Sequence, residues 1–249
     1  MIDLELNPTT ALRKEGKSFY WASFFLPKMS KKNAGILYSI CRYFDDIADK
    51  NSEDKTTYLK NLINEIRNNQ NNKVNLFLQK NKINNSILID LIEGLILDQR
   101  QIKIQNKEEL IRYSYHVAGT VGLMMSKIIG VKNQKAAQSA IDLGIAMQLT
   151  NIARDVYEDS KMKRIYIPAT WIPNISLNNL NNIDDINLEK DERISNAIHK
   201  LISLSDKFYE NGFAGLKYIP LSTRLGIYIA ANVYRGIGIK IKSNKKKYF

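Results

Sequence analysis

Three aspartates in the segment YSICRYFDDIADK have the spacing of a metal-binding helix face. Asp45 and Asp49 are four residues apart, and Asp46 lies three residues before Asp49. Side chains at these separations share one face of a helix, where like charges repel each other. Apolar residues surround the aspartates, so we expect a cationic partner to neutralise them.

A second acidic cluster lies in AMQLTNIARDVYEDSK. Gln148, Asn151, Asp155 and Asp159 follow one another at steps of three or four residues, between apolar positions. A buried carboxylate stripe needs a cation, because an unpaired buried charge is very costly. Oxygen donors without His or Cys favour Mg²⁺ and, less strongly, Ca²⁺.

An arginine accompanies each cluster. Arg42 precedes Asp45 by three residues, and Arg154 follows Asn151 by three. Mg²⁺ held by a few carboxylates usually completes its shell with substrate phosphate oxygens, and Arg binds phosphate bidentately. Two such helices together predict a clamp for diphosphate groups. The alternative is that each acidic pair is an exposed face paired with Lys or Arg, which is less favoured because both clusters are present.

Two glycines in HVAGTVGLMM predict either a close helix contact or space for a ligand. Gly119 and Gly122 lie in a helical context, where each glycine costs roughly 0.5 to 1 kcal/mol relative to alanine. Close helix packing is the commoner cause. Beside two diphosphate-binding helices, however, an apolar channel becomes the preferred interpretation.

The elements that must position these residues are helices. Apolar residues recur at steps of three and four, and prolines number only 5. We predict an all-α fold in a single domain over residues 1–249, with residues 161–188 as the main irregular segment. The predicted helices span 8–22, 30–49, 54–69, 84–101, 107–128, 133–160, 189–212 and 221–241.

Composition excludes several classes of protein. With 1 Cys and 2 His, the chain has too few ligands for a disulfide framework or a Cys/His zinc site. The net charge of +12 comes from basic residues scattered among acids, so we expect no nucleic-acid partner. No Glu-x-x-His pair supports a di-iron bundle. The sequence shows no secretory signal or bilayer-spanning run, so we expect a cytoplasmic protein.

Five segments resemble the squalene and phytoene synthase family in order and spacing. They are SFYWASFFLP, YSICRYFDDIAD, YSYHVAGTVGLMM, AMQLTNIARDVYED with RIYIP after it, and LKYIPLSTRLGIYIAANVY. The similarity runs from about residue 12 to 240. Within the family, HVAGTVGLMM and QLTNIARD look most like bacterial phytoene synthases.

The resemblance implies an all-α isoprenoid synthase fold, a helical bundle around a central apolar cavity. It implies a prenyltransferase that condenses two geranylgeranyl diphosphates head to head, through prephytoene diphosphate, to phytoene, which is the first step of carotenoid biosynthesis. The cofactor implied is Mg²⁺, for which Mn²⁺ can substitute, and no NADPH is expected.

The resemblance also assigns site residues. The metal ligands implied are Asp45, Asp46, Asp49, Asn151, Asp155 and Asp159, and the catalytic set adds Arg42 and Arg154. The substrate-binding residues implied are Ser18, Phe19, Tyr38, Tyr113, Val117, Ala118, Val121, Gly122, Gln148, Asn151, Arg164 and Tyr166.

Other functions stay open at this point. A squalene or dehydrosqualene synthase would use farnesyl diphosphate at the same site, and a non-catalytic homologue would only bind prenyl lipids. Family members usually continue for several tens of residues past the last predicted helix, so we expect a short C-terminus. The apolar product also suggests peripheral association with the inner face of a membrane. The oligomeric state is not fixed by the sequence.

Overall fold

All regular elements in the described residues are helices, which confirms the predicted all-α fold. This computed structural model describes residues 17–49, 54–99, 103–173 and 192–243. The α-helices are α1 (Lys17–Ser23), α2 (Lys28–Asp49), α3 (Lys55–Arg67), α4 (Lys73–Lys80), α5 (Asn85–Asp98), α6 (Lys107–Ser114), α7 (Thr120–Ile128), α8 (Lys135–Arg154), α9 (Val156–Lys161), α10 (Glu192–Ala214) and α11 (Leu221–Ser243). A π-helical segment (Tyr115–Gly119) joins α6 to α7, and two short 3₁₀ segments occur at Ala169–Trp171 and Leu216–Tyr218.

The helices bury their apolar faces in two clusters. The first cluster is built by α2, α3, α4, α5 and α7 around residues such as Leu37, Phe44 and Ile92. The second is built mainly by α6, α8, α9 and α10, around Leu149 and Leu201. Burial of these faces is the main stabilising contribution. The candidate site lies between the two clusters.

Helix α8 is the central element, since it packs against α7, α10, α11 and the π-helical segment. Glycines make two of these contacts close. A Cβ atom on Gly122 would lie 2.1 Å from the carbonyl oxygen of Ala140, and one on Gly144 would lie 2.3 Å from that of Ala118. Gly122 therefore lets two helix backbones meet, as the close-packing interpretation expects.

The predicted helix 107–128 is interrupted by the π-helical segment. Its residue His116 lies against Gly94 of α5, where an added Cβ would come within 2.6 Å of the His116 Cβ. The His116 Nδ1 atom is hydrogen-bonded to the carbonyl oxygen of Asp90, at 2.9 Å. The π-helical turn is wider than an α-helical turn, and it brings His116 against α5. Such π-helical segments occur frequently at functional sites.

Three further differences from the predicted helices appear. Helix α4 was not predicted, because its polar flanks hide the buried Val74, Phe77 and Leu78. The predicted helix 133–160 breaks at Asp155, where φ is −103° and ψ is 17°. Parts of the predicted helices 8–22 and 189–212, and most of the predicted irregular segment, lie outside the described residues. Within those residues, no helix combines the length and the apolar character that crossing a bilayer requires.

Candidate active site

The first acidic cluster lies on the last turns of α2. The Arg42 guanidinium donates to Asp45 Oδ2 through Nη1 at 2.9 Å and lies 2.8 Å from Asp46 Oδ1 through Nε. The spacing of three and four residues on one helix allows a single arginine to contact both carboxylates. The positive charge of Arg42 thus offsets part of the repulsion between Asp45 and Asp46 that the sequence predicts.

The second cluster lies where α8 ends and α9 begins. Arg154 donates to both carboxylate oxygens of Asp155, with two distances of 2.6 Å. Asn151 lies one turn earlier on α8, and its Oδ1 atom is buried without a hydrogen-bond partner. Because a buried polar atom without a partner is costly, this oxygen is suited to a ligand.

Arg164 links the two clusters. Its Nη2 atom donates to Asp49 Oδ1 at 2.9 Å, so the segment after α9 is bonded to the end of α2. The parallel bridge between Lys103 and Ile165 fixes the backbone beside Arg164. The two acidic clusters, far apart in sequence, therefore lie at one end of the bundle.

Burial, and after it the charge of neighbouring carboxylates, raises the pKa of two of these aspartates. Burial, with the charge of Asp49 next in effect, raises the pKa of Asp45 to about 6. Burial, followed by the charge of Asp155, raises the pKa of Asp159 to about 7. In both cases an arginine acts in the opposite direction, and Arg164 does so for Asp159. The site thus holds more negative charge than its arginines compensate.

Asp98, which the sequence analysis missed, also belongs to this end of the bundle. The Tyr166 hydroxyl donates to Asp98 Oδ1 at 2.8 Å, and the Tyr166 ring stacks on Tyr113 with centroids 4.9 Å apart. Burial raises the pKa of Asp98, while the hydrogen bond from Tyr166 lowers it. A signal was available, because Leu91, Leu95 and Asp98 share one helix face and an acid there is out of place.

An apolar cavity of about 450 Å³ begins at these acids and runs between α2, α5, α7, α8, α10 and α11. Arg42, Asp45 and Asp98 lie at its polar end, while Ala136, Leu216 and other apolar residues line the opposite end. Tyr234 of α11, also missed in the sequence, lines the wall and stacks on Phe19 with centroids 5.1 Å apart. The arrangement can hold a polar headgroup at one end and a long apolar chain in the tunnel.

The cavity collects most of the predicted substrate-binding residues. Its lining includes Phe19, Tyr38, Arg42, Asp45, Tyr113, Val117, Ala118, Val121, Gly122, Gln148 and Asn151. The remaining predicted residues lie outside the lining: Ser18, Asp46, Asp49, Arg154, Asp155, Asp159, Arg164 and Tyr166. Among these, Tyr166 stacks on a residue that lines the cavity, whereas Ser18 is half-buried on α1 beside Phe19.

The carboxylate and amide oxygens of the two clusters are donors of the kind that Mg²⁺ prefers. Among the described residues, no three His, Cys, Asp or Glu side chains are grouped closely enough to hold a metal by themselves. Mg²⁺ characteristically takes one or two carboxylates and completes its shell with water and phosphate oxygens. Asn151 Oδ1 is buried without a hydrogen-bond partner, and burial together with neighbouring carboxylates raises the pKa of Asp45 and Asp159, so a cation could interact favourably with both clusters.

The helical bundle has the all-α isoprenoid synthase fold of solved squalene and dehydrosqualene synthases. The sequence profile of the squalene/phytoene synthase family matches residues 12–249. The chain therefore belongs to this family of prenyltransferase-type enzymes.

Phytoene synthases are among the most similar curated proteins. The 15-cis-phytoene synthase of Enterobacter agglomerans is 32% identical over 248 residues, which cover 90% of this chain and 81% of that protein. The phytoene synthase of Pseudescherichia vulneris is 31% identical and is covered to 82% of its length. These relatives confirm the resemblance to bacterial phytoene synthases.

Solved structures show the same fold. A dehydrosqualene synthase in complex with a ligand has a TM-score of 0.81 and 26% identity, covering 92% of this chain and 82% of that one. A squalene synthase from Alicyclobacillus acidocaldarius has a TM-score of 0.84 at 18% identity, covering 97% and 94% of the two chains.

Proposed function

We propose that this chain condenses two molecules of geranylgeranyl diphosphate head to head, through prephytoene diphosphate, to phytoene. The observation that carries the proposal is the apolar cavity whose polar end lies at Arg42 and Asp45, beside two acidic clusters. The similarity to phytoene synthases over 90% of the chain supports the same reaction.

In this proposal, each acidic cluster binds one diphosphate. Asp45, Asp46 and Asp49 hold Mg²⁺ for one substrate, and a second set of Asn151, Asp155 and Asp159 does so for the other. Bound Mg²⁺ supplies the positive charge that stabilises a departing diphosphate. The three arginines of the site hold the carboxylates in position and donate hydrogen bonds to diphosphate oxygens. They are Arg42, Arg154 and Arg164.

The tunnel protects the reacting carbons from water. When the first substrate loses diphosphate, an allylic cation forms, and the alkene of the second substrate attacks it to give the cyclopropyl intermediate. Loss of the second diphosphate, rearrangement and loss of a proton then yield phytoene without a reductant. Aromatic rings of Phe19, Tyr38 and Tyr234 line the cavity and can stabilise a passing cation through their faces.

The length of the tunnel supports a substrate with a long chain. Residues of α8 line it from Asn151 to Ala136. These 16 residues span about 22 Å at a rise of about 1.5 Å per residue, which is enough for an extended chain of four isoprene units.

A second candidate is the condensation of two farnesyl diphosphates to dehydrosqualene. The similarity in structure and sequence to a dehydrosqualene synthase favours this candidate. It uses the same clusters and the same chemistry, and it differs in the depth of tunnel that the substrate fills.

The test is incubation of the purified chain with Mg²⁺ and either geranylgeranyl or farnesyl diphosphate, without NADPH, with products identified by mass spectrometry. Phytoene from geranylgeranyl diphosphate is the expected result. Dehydrosqualene from farnesyl diphosphate alone would replace the substrate in the proposal. A folded protein that yields neither product would instead be a non-catalytic prenyl-lipid-binding homologue.

Matched variants connect the activity to the clusters. Asp45→Asn and Asp155→Asn remove one carboxylate charge from each cluster, and each should lower turnover by about 100-fold or more. Asp54→Asn makes the same change at an exposed residue just before α3, and it should leave turnover unchanged. Circular dichroism should show the same helix content in all three variants.

A further inference from the structure

The segment from α1 to the start of α2, and helix α11, expose aromatic and aliphatic side chains and also contribute to the tunnel wall. Trp21 on α1 is 68% exposed, and Phe24, Phe25 and Met29 follow it into the start of α2. On α11, Leu221 is 79% exposed, and Leu225 and Tyr228 continue along the same helix face. We call these seven residues the apolar rim. An exposed apolar surface of this kind marks a contact with another apolar phase.

The two parts of the apolar rim belong to helices that pack together. A Cβ on Gly226 of α11 would lie 2.8 Å from a methyl group of Leu26 and 3.2 Å from the carbonyl oxygen of Ala22. The same two helices contribute Phe19, Ile227 and Tyr234 to the wall of the cavity. The rim is thus separated from the tunnel by the thickness of single helices.

The segments that carry the apolar rim hold basic residues and no acidic ones. No acidic residue occurs in residues 17–44 or in residues 211–249, although acids make up a good part of the remaining chain. Lys28 and Lys32 are exposed on the first turns of α2, and the ammonium group of Lys31 lies 3.6 Å from the ring centroid of Phe24. On the neighbouring helix α10, Asp206 is paired with Arg235 of α11, and the exposed Glu210 lies 4.0 Å from the same arginine.

We propose that the apolar rim and its lysines dock this protein on the surface of an anionic lipid bilayer. Aromatic rings with basic neighbours suit the boundary between headgroups and acyl chains, where rings enter and ammonium groups stay at the phosphates. A nucleic acid would not require the apolar side chains, and an ordinary protein partner would not require a surface without acids. Docking here places the cavity wall beside the lipid.

The test is co-sedimentation of the full chain with vesicles. Three parts phosphatidylcholine to one part phosphatidylglycerol should bind the protein, and pure phosphatidylcholine should bind it much more weakly. Added salt should release the protein, since exposed charges are screened. Binding is measured without substrate, so this result and the result for the proposed function can fail separately.

Paired variants test whether the apolar rim and its lysines are the surface that contacts the vesicles. Lys28→Gln with Lys32→Gln should weaken binding to the anionic vesicles by about tenfold, as should Trp21→Ser with Phe25→Ser. The matched controls are Lys60→Gln with Lys80→Gln, and Leu76→Ser, which change exposed residues of α3 and α4. These controls should bind as the unaltered chain does.

Three outcomes would overturn the proposal. In the first, the unaltered chain does not bind anionic vesicles. In the second, the rim variants and the control variants bind equally. In the third, the unaltered chain is a dimer in analytical ultracentrifugation that Trp21→Ser with Phe25→Ser dissociates, and it leaves vesicles unbound, which would assign the rim to a second copy of the chain.

Discussion

Arg164 is bonded to Asp49 at 2.9 Å, although 115 positions of sequence separate them. The bond joins the segment that follows the second acidic cluster to the helix that carries the first. About half of the Asp49 side chain stays exposed, at 47%, so the pair contributes little to the free energy of unfolding. Its importance lies in holding the two acidic clusters in one position.

Replacement of Arg164 tests that role. We expect Arg164→Gln to lower turnover by about 100-fold, because in the proposed reaction it removes a cation from the place where the diphosphates would depart. The melting temperature should change little. Arg112→Gln alters an exposed arginine of α6 and should leave turnover intact. Equal turnover in the two variants would contradict a role for Arg164 at the site.

The raised pKa of Asp45 and Asp159 predicts a pH dependence of stability in the metal-free protein. Both pKa values lie above the unfolded value of 3.8, at about 6 and about 7. Between about pH 4 and about pH 7, the two carboxyls therefore bind more protons in the folded state than in the unfolded state. Their contribution to the free energy of unfolding consequently falls as the pH rises through that range.

The pH prediction is checked by thermal unfolding against a double variant. Other carboxylates add their own pH dependence, so the relevant quantity is the difference between the unaltered chain and Asp45→Asn with Asp159→Asn. We expect the double variant to gain melting temperature relative to the unaltered chain as pH rises from about 4 to about 7. A constant difference across that range would show that the two carboxylates titrate normally.

The buried bond between Tyr166 and Asp98 should be measurable by chemical unfolding. Tyr166→Phe removes a donor from a carboxylate that has little access to water, so it should cost about 1 to 3 kcal/mol of unfolding free energy. Tyr218→Phe makes the same change in a partly exposed tyrosine and should cost less. In a double-mutant cycle with Asp98→Asn, additive effects would exclude a direct interaction.

The close contact of α7 with α8 limits which residues can replace Gly122. Gly122→Ala would place its Cβ 2.1 Å from the Ala140 carbonyl oxygen, so the two backbones must move apart. We expect a loss of about 1 to 3 kcal/mol of unfolding free energy. Gly236→Ala on α11 is the control, since nothing lies within 4 Å of an added Cβ, and it should gain about 0.5 to 1 kcal/mol. A neutral Gly122→Ala would show that the helices tolerate separation.

The far end of the tunnel should control substrate length. Leu216→Trp adds bulk where the cavity ends, and it should shift kcat/KM from geranylgeranyl toward farnesyl diphosphate by about tenfold or more. Leu76→Trp on α4 adds the same ring at an exposed position and should leave the ratio unchanged. An unchanged ratio for Leu216→Trp would mean that the substrate chain does not reach this residue.

Helix periodicity and the spacing of the acids predicted most of the helices and both acidic clusters. The steps of three and four placed Asp45, Asp46 and Asp49 on one helix, and the structure has them there. Helix α4 was missed because four of its eight residues are polar, and the break at Asp155 has no local signal such as Pro or Gly. Tyr234 enters the site through tertiary packing, which periodicity does not reveal, whereas Asp98 could have been recognised as an acid on an apolar helix face.

The contacts of Gly122 with Ala140, and of Gly144 with Ala118, restrict how one wall of the cavity can vary. Where backbone meets backbone, almost any larger residue is harmful, so this wall can change little. The wall near Leu216 is made of side chains, which can be exchanged one at a time. Single mutations there can therefore alter the volume of the cavity while the helix packing at the glycines stays intact.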